Sequence, residues 1–208
     1  WKDTLAKNPG CWMAHHNWAH DLAAQGKLEA ASEHYRAALR LNPDAEAHLG
    51  LGAVLDAQGK TEEALGHYRS AVEAKPGFAE AHNNLSNLLL KRGDAEQALR
   101  HASEAVRLKP DYAEARFNLG NALNLLGRIE DARREYATAV QLKPGYAEAH
   151  YNLGGALFRL GRVDEAMAQF AEVVRLHPGN AAAHSKLAWA LARQGKTAEA
   201  VAQYQEAL

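Results

Sequence analysis

The chain has 208 residues, 47% of them hydrophobic, with 24 basic against 25 acidic side chains and a formal net charge of −1. This balance excludes the basic footprint of a nucleic-acid binder, and no apolar run approaches the roughly 18 residues needed to cross a membrane. A single cysteine, Cys11, excludes an internal disulfide and leaves the redox compartment open.

In chain order, the sequence reads as the end of one helix followed by six helix pairs. Residues 1–11 close a preceding repeat at Pro9. Units then run 12–44, 45–78, 79–112, 113–146 and 147–180, with a partial unit at 181–208. The register comes from the six prolines, Pro9, Pro43, Pro76, Pro110, Pro144 and Pro178, spaced 34, 33, 34, 34 and 34 residues apart. A fixed period of that size signals stacked supersecondary units rather than one globular core. With each proline at position 32, position 15 is always glycine (Gly26, Gly59, Gly93, Gly127, Gly161, Gly195) and position 20 always alanine. Position 11 is always leucine and position 8 always small. Position 24 is aromatic except at Ala102.

Apolar positions 4, 7, 8 and 11 follow helical spacing, so the first half of each unit is an amphipathic helix. The glycine ends it in the left-handed conformation. A second helix covers about positions 17–30 and stops at the proline. Small residues at positions 8 and 20 let the helices approach closely, and the aromatic at position 24 fills the space beside them. One such pair cannot bury its apolar face alone, so the pairs stack. The opening "WKDTLAKNPG" reads as the tail of an earlier helix, and the close at Leu208 comes without a polar cap. The expectation is a piece of a longer protein whose apolar C-terminal face is able to stack head to tail on another copy.

The run "AEARFNLGNALNLLGRIEDARREYATAVQLKP" (113–144) carries the small–Leu–Ala–aromatic–Pro pattern. On these residues the chain resembles the tetratricopeptide repeats. The resemblance implies an all-α, right-handed superhelical solenoid with a groove lined by the first helices. It also implies a non-catalytic module that binds an extended peptide or a partner protein.

In such a superhelix, positions 2, 5, 6, 9, 12 and 13 face the groove. Position 6 reads Asn17, Gly50, Asn84, Asn118, Asn152 and Lys186. An amide offers both donor and acceptor to a peptide main chain, and helices about 10 Å apart would give one rung per three extended residues. Asn84, Asn118 and Asn152 are therefore expected to hold a main chain without reading its sequence. This is similar to the asparagine ladder of the O-linked N-acetylglucosamine transferase superhelix; the alternative is that asparagine is simply common here in this repeat family. Phe117, Tyr151, Phe158 and Trp189 stand beside the ladder in the C-terminal half, with Leu90, Asn87 and Asn121 before or between them, and make that half the more apolar, suiting spaced hydrophobic side chains. The opposing reading is that these aromatics pack on neighbouring helices.

Glu46, Glu80, Glu114 and Glu148 occupy position 2, which argues against a clamp for a C-terminal carboxylate and suits the positive helix N-termini; the alternative is that they select ligands with spaced basic residues. Eight of the eleven histidines recur at positions 4 and 23, where a partly buried, hydrogen-bonded role is expected. His16 and His20 have metal-ligand spacing but no third ligand, so neither metal nor cofactor is expected. No phosphate-binding loop, nucleophile elbow or carboxylate pair stands outside the repeat register.

Two rival functions remain. The opening 31 residues resemble the junction of repeats with membrane portions in bacterial mannosyltransferase-like proteins, implying a substrate-recruiting arm outside the cytoplasm. Alternatively, the module assembles through its open ends. The bacterial cytoplasm and the periplasmic side of a membrane protein both stay open as compartments.

Overall fold

The computed structural model describes residues 1–207, which form thirteen α-helices and no strand. They divide into two compact units, Trp1–Arg92 and Gly93–Leu208. Unit 1 holds α1 (Lys2–Lys7), α2 (Trp12–Ala24), α3 (Leu28–Leu41), α4 (Ala45–Ala57), α5 (Thr61–Ala74) and α6 (Ala79–Lys91). Unit 2 holds α7 (Ala95–Leu108), α8 (Ala113–Leu125), α9 (Ile129–Leu142), α10 (Ala147–Arg159), α11 (Val163–Leu176), α12 (Ala181–Arg193) and α13 (Thr197–Glu206). Within each unit every helix packs on the next in sequence.

The six position-15 glycines have φ between 73° and 80° and are the sole positive-φ residues described. Each sits where a first helix ends. In α2 the Lys27 N–H donates to Leu22 O at 2.9 Å and the Gly26 N–H to Ala23 O at 2.9 Å, the paired bonds of a Schellman motif. The leucine at position 11 thus serves twice, as core side chain and as carbonyl acceptor. Second helices end differently. The residue before each proline is extended, as at Asn42 (φ −148°, ψ 108°) and Lys143 (φ −136°, ψ 84°), because the proline δ-carbon excludes helical backbone there.

Between the two helices of a repeat, small residues face rings. A β-carbon on Gly52 would stand 2.7 Å from the Tyr68 ring, on Gly120 2.6 Å from Tyr136, and on Gly154 2.7 Å from Phe170. In unit 2 these rings join Leu119, Leu123, Leu153, Leu157, Leu187 and Leu191 in one continuous core.

Position 4 ties three segments together. His15 Nε2 lies 3.2 Å from Pro9 O, His82 Nε2 3.1 Å from Pro76 O, and His150 Nε2 3.0 Å from Pro144 O. Arg116 Nε donates to Pro110 O at 3.1 Å in the same role. The other ring nitrogen turns to position 23. In unit 1, His15 and His34 approach Nδ1 to Nδ1 at 2.8 Å, and His48 and His67 at 2.9 Å. In unit 2 the partners are Glu135 for Arg116 and the amides of Gln169 and Gln203 for His150 and His184, each at 2.8 Å.

Candidate functional site

In unit 2 the first-helix residues of α8, α10 and α12 line two adjoining cavities. One, of 640 Å³, is bounded by Phe117, Glu148, Tyr151, Asn152, His177 and Asn180 among others. The second, of 330 Å³, is bounded by residues including Tyr151, Asn152, Phe158, Arg159, Lys186 and Trp189. They meet at Tyr151 and Asn152.

The aromatics show one side to protein and one to the cavities. Phe117 packs 4.9 Å from the Tyr146 ring and 5.9 Å from Tyr136. Tyr151 meets Phe170 edge-on at 5.8 Å, and Phe158 lies 4.0 Å from Trp189. Trp189 remains 42% exposed, a large apolar surface for a side chain with a partner of its own. Each of these residues thus both packs on a neighbouring ring and lines a cavity.

The asparagines are not equivalent. Asn152 Nδ2 donates to Asn121 Oδ1 at 2.8 Å, and that same oxygen accepts from Tyr136 Oη at 2.7 Å. Burial pushes the Tyr136 hydroxyl well above its ordinary pKa, so it stays a donor. Asn118 is buried at 6% exposure. In unit 1, Asn84 accepts from Asn83 Nδ2 at 3.3 Å and hydrogen-bonds Tyr68, whose hydroxyl is raised by burial and then by the Asp56 charge. Asn84 and Asn87 line a separate polar cavity of 320 Å³ with Asp56 and Lys91, and Asn17 is exposed on α2.

At Asn84 and Asn152 the asparagine pattern has a local cause, whereas Asn118 follows Ala102, which has no hydroxyl. Where position 24 is Tyr68 or Tyr136, the next repeat supplies Asn84 or Asn152. After Phe170, which has no hydroxyl, it supplies Lys186. After Tyr35 it supplies Gly50, whose β-carbon would lie 2.4 Å from the Tyr35 ring. This pairing of tyrosine with the following asparagine was readable in the sequence.

Charged and polar residues beyond the sequence-derived set also bound the cavities. Arg159 donates to Asn124 Oδ1 at 2.8 Å, and Lys186 makes no ion pair among the described residues. His177 and Asn180 stand where other repeats carry lysine and an aromatic. Position 2 glutamates do more than face helix N-termini. Glu114 accepts from Lys143 at 2.6 Å, which lowers its pKa. His16 lies edge-on to Tyr35 at 5.6 Å and His20 is exposed. No helix described is long and apolar enough to span a membrane, and no three metal-ligating side chains cluster among the described residues.

Models of the tetratricopeptide repeat match residues 16–77, 83–147, 126–181 and 168–208, and a second model of the same description matches 57–103. No curated protein matches. Among solved structures, YrrB, described as a TPR protein with an unusual peptide-binding site, is 26% identical with a TM-score of 0.72, covering 88% of this chain and 94% of its own. TTC0263 of Thermus thermophilus is 27% identical with a TM-score of 0.65, over 88% of this chain and 100% of its own. Pseudomonas aeruginosa pilF reaches a TM-score of 0.82 at 19% identity, over 94% and 95%, a likeness of fold alone.

Proposed function

Because the chain belongs to the tetratricopeptide repeat family, we propose that it is a non-catalytic interaction scaffold holding an extended segment of a partner protein against α8, α10 and α12. The observation that carries this is the pair of adjoining cavities meeting at Tyr151 and Asn152. YrrB, at 26% identity, is described as having a peptide-binding site, which supports the same reading.

An extended chain advances about 3.3–3.6 Å per residue with side chains alternating. Laid across α10, it would set apolar side chains against Phe158 and Trp189. The remaining N–H of Asn152 and the amide of Asn121 would meet its main chain. Selectivity would come from the cavities, with the amides supplying sequence-independent grip.

Selection from a random peptide library tests this. Trp189→Ala removes an exposed anchor without opening the core, so affinity for the selected peptides should fall about tenfold or more with helicity unchanged. Equal binding by wild type and variant would overturn the assignment. A second reading, contact with another copy through α13, is favoured by exposed Val201 and Tyr204 beside a 450 Å³ crevice lined partly by Met167, Leu187 and Leu191. Under it, sedimentation equilibrium should show association that Tyr204→Lys abolishes.

A further inference from the structure

One arrangement recurs at the start of the first helices. Lys75 Nζ donates to Glu46 at 2.6 Å and lies 4.6 Å from the Phe78 ring centroid. Lys143 Nζ donates to Glu114 at 2.6 Å and lies 4.8 Å from the Tyr146 centroid. In both repeats a lysine from position 31 is held between a carboxylate from position 2 and a ring from position 34. The ring face attracts the cation while the carboxylate accepts its hydrogen bond.

The repeat at 147–180 keeps the carboxylate, Glu148, but has His177 in place of the lysine and Asn180 in place of the aromatic. Both substituted residues and Glu148 line the 640 Å³ cavity, together with Phe117 and Tyr151. Glu148 makes no ion pair among the described residues. The cavity thus offers a carboxylate acceptor and two rings, Phe117 and Tyr151 from position 5, while position 31 supplies no lysine.

We infer that this cavity receives a basic side chain of the bound partner segment, its charge on Glu148 and its stem along Tyr151 and Phe117, in place of the internal lysine that the repeats at 45–78 and 113–146 carry. The inference rests on the peptide-binding reading above. It adds to that reading a residue class and a place: a lysine or arginine, beside the apolar anchor that Phe158 and Trp189 accept.

The test uses the full 208-residue chain and a random peptide library. Wild type should enrich a lysine or arginine at one position. Glu148→Gln should lose that enrichment and bind the wild-type selections about tenfold more weakly, the scale of one charge-assisted hydrogen bond. The His177→Lys/Asn180→Tyr variant, which rebuilds the internal arrangement, should lose the preference as well while still binding apolar peptides and keeping its helicity. Peptides selected without a basic residue, or a basic preference that survives in Glu148→Gln, would overturn the inference and leave the groove standing. Failure of wild type to select any peptide would remove the groove and this pocket with it.

Discussion

Units 1 and 2 are built from one repeat and differ where the repeat does not constrain them. On the first-helix face of unit 1, Asp56 is ion-paired to Lys91 at 2.9 Å beside Asn84 and Asn87, leaving a polar, self-satisfied surface. On the same face of unit 2, four aromatic contacts stand beside two cavities whose charged residues Glu148, Arg159 and Lys186 make no ion pair among the described residues. Underneath, the links between positions 4 and 23 also differ: imidazole pairs in unit 1, an Arg–Glu pair and two His–Gln contacts in unit 2. The glycine, leucine, alanine and small-residue positions that set helix ends and close approach are shared. Other positions have diverged, and on the unit 2 face the cavity charges stand without internal ion partners among the described residues.

If the small-residue and ring contact is common to both units, Gly52→Val and Gly154→Val should each destabilise by about 3 kcal/mol, because the ring cannot retreat into a packed core. Gly66→Ala, in α5 with nothing within 4 Å of the added carbon, should stabilise by about 0.5–1 kcal/mol. Chemical denaturation distinguishes these outcomes, and a large cost at one glycine alone would break the shared-core half of the comparison.

Acid should separate the units next. Burial, then the charge of His15, lowers the pKa of His34; burial, then His48 and Arg36, lowers that of His67; burial lowers that of His48. The folded state therefore favours neutral rings, and below the ordinary value of 6.5 the unfolded chain binds more protons. Stability from these pairs is intact above that pH and declines as pH falls from there through the depressed folded values. His34→Gln/His67→Gln, importing the amide used in unit 2, should flatten the fall in melting temperature between pH 7 and 5. An unchanged slope would show that the pairs do not set acid sensitivity.

The smallest effect belongs to the unit 1 surface. Lys91 is half exposed, and Lys91→Met should shift stability by no more than about 0.5 kcal/mol. A larger loss would mean that this face is structural rather than merely self-satisfied.

The glycine and proline periods made the helix ends legible, since left-handed backbone and the pre-proline clash are local. Leucine, alanine and ring positions were legible because burial repeats with the period. The partnership of position 4 with position 23 was half visible: both recurred as histidine, but nothing local says that the two rings meet, or that the second nitrogen reaches a proline carbonyl. Phe117, Tyr151, Phe158 and Trp189 were picked out as groove residues by helical geometry and do bound the cavities. His177 and Asn180 were passed over because they flank the proline that stops the second helix, outside the first-helix positions expected to face a groove. Their side chains matter through what Lys143 and Tyr146 do at the same register, a comparison that needs the contacts themselves.

The bond from position 4 to the proline carbonyl six residues earlier has a consequence for how such arrays are cut and spliced. The acceptor belongs to one repeat and the donor to the next, while the donor's other polar atom is held by its own second helix. The natural unit of exchange is therefore offset from the 34-residue period. A repeat cut at the boundaries 113–146 or 147–180 arrives with its donor and leaves its proline acceptor behind, whereas a graft that begins at or before the preceding proline carries the whole joint. At the junction after Pro43, one residue shorter, Asp44 caps α4 instead, so a segment moved from there fits only a neighbour shortened in the same way.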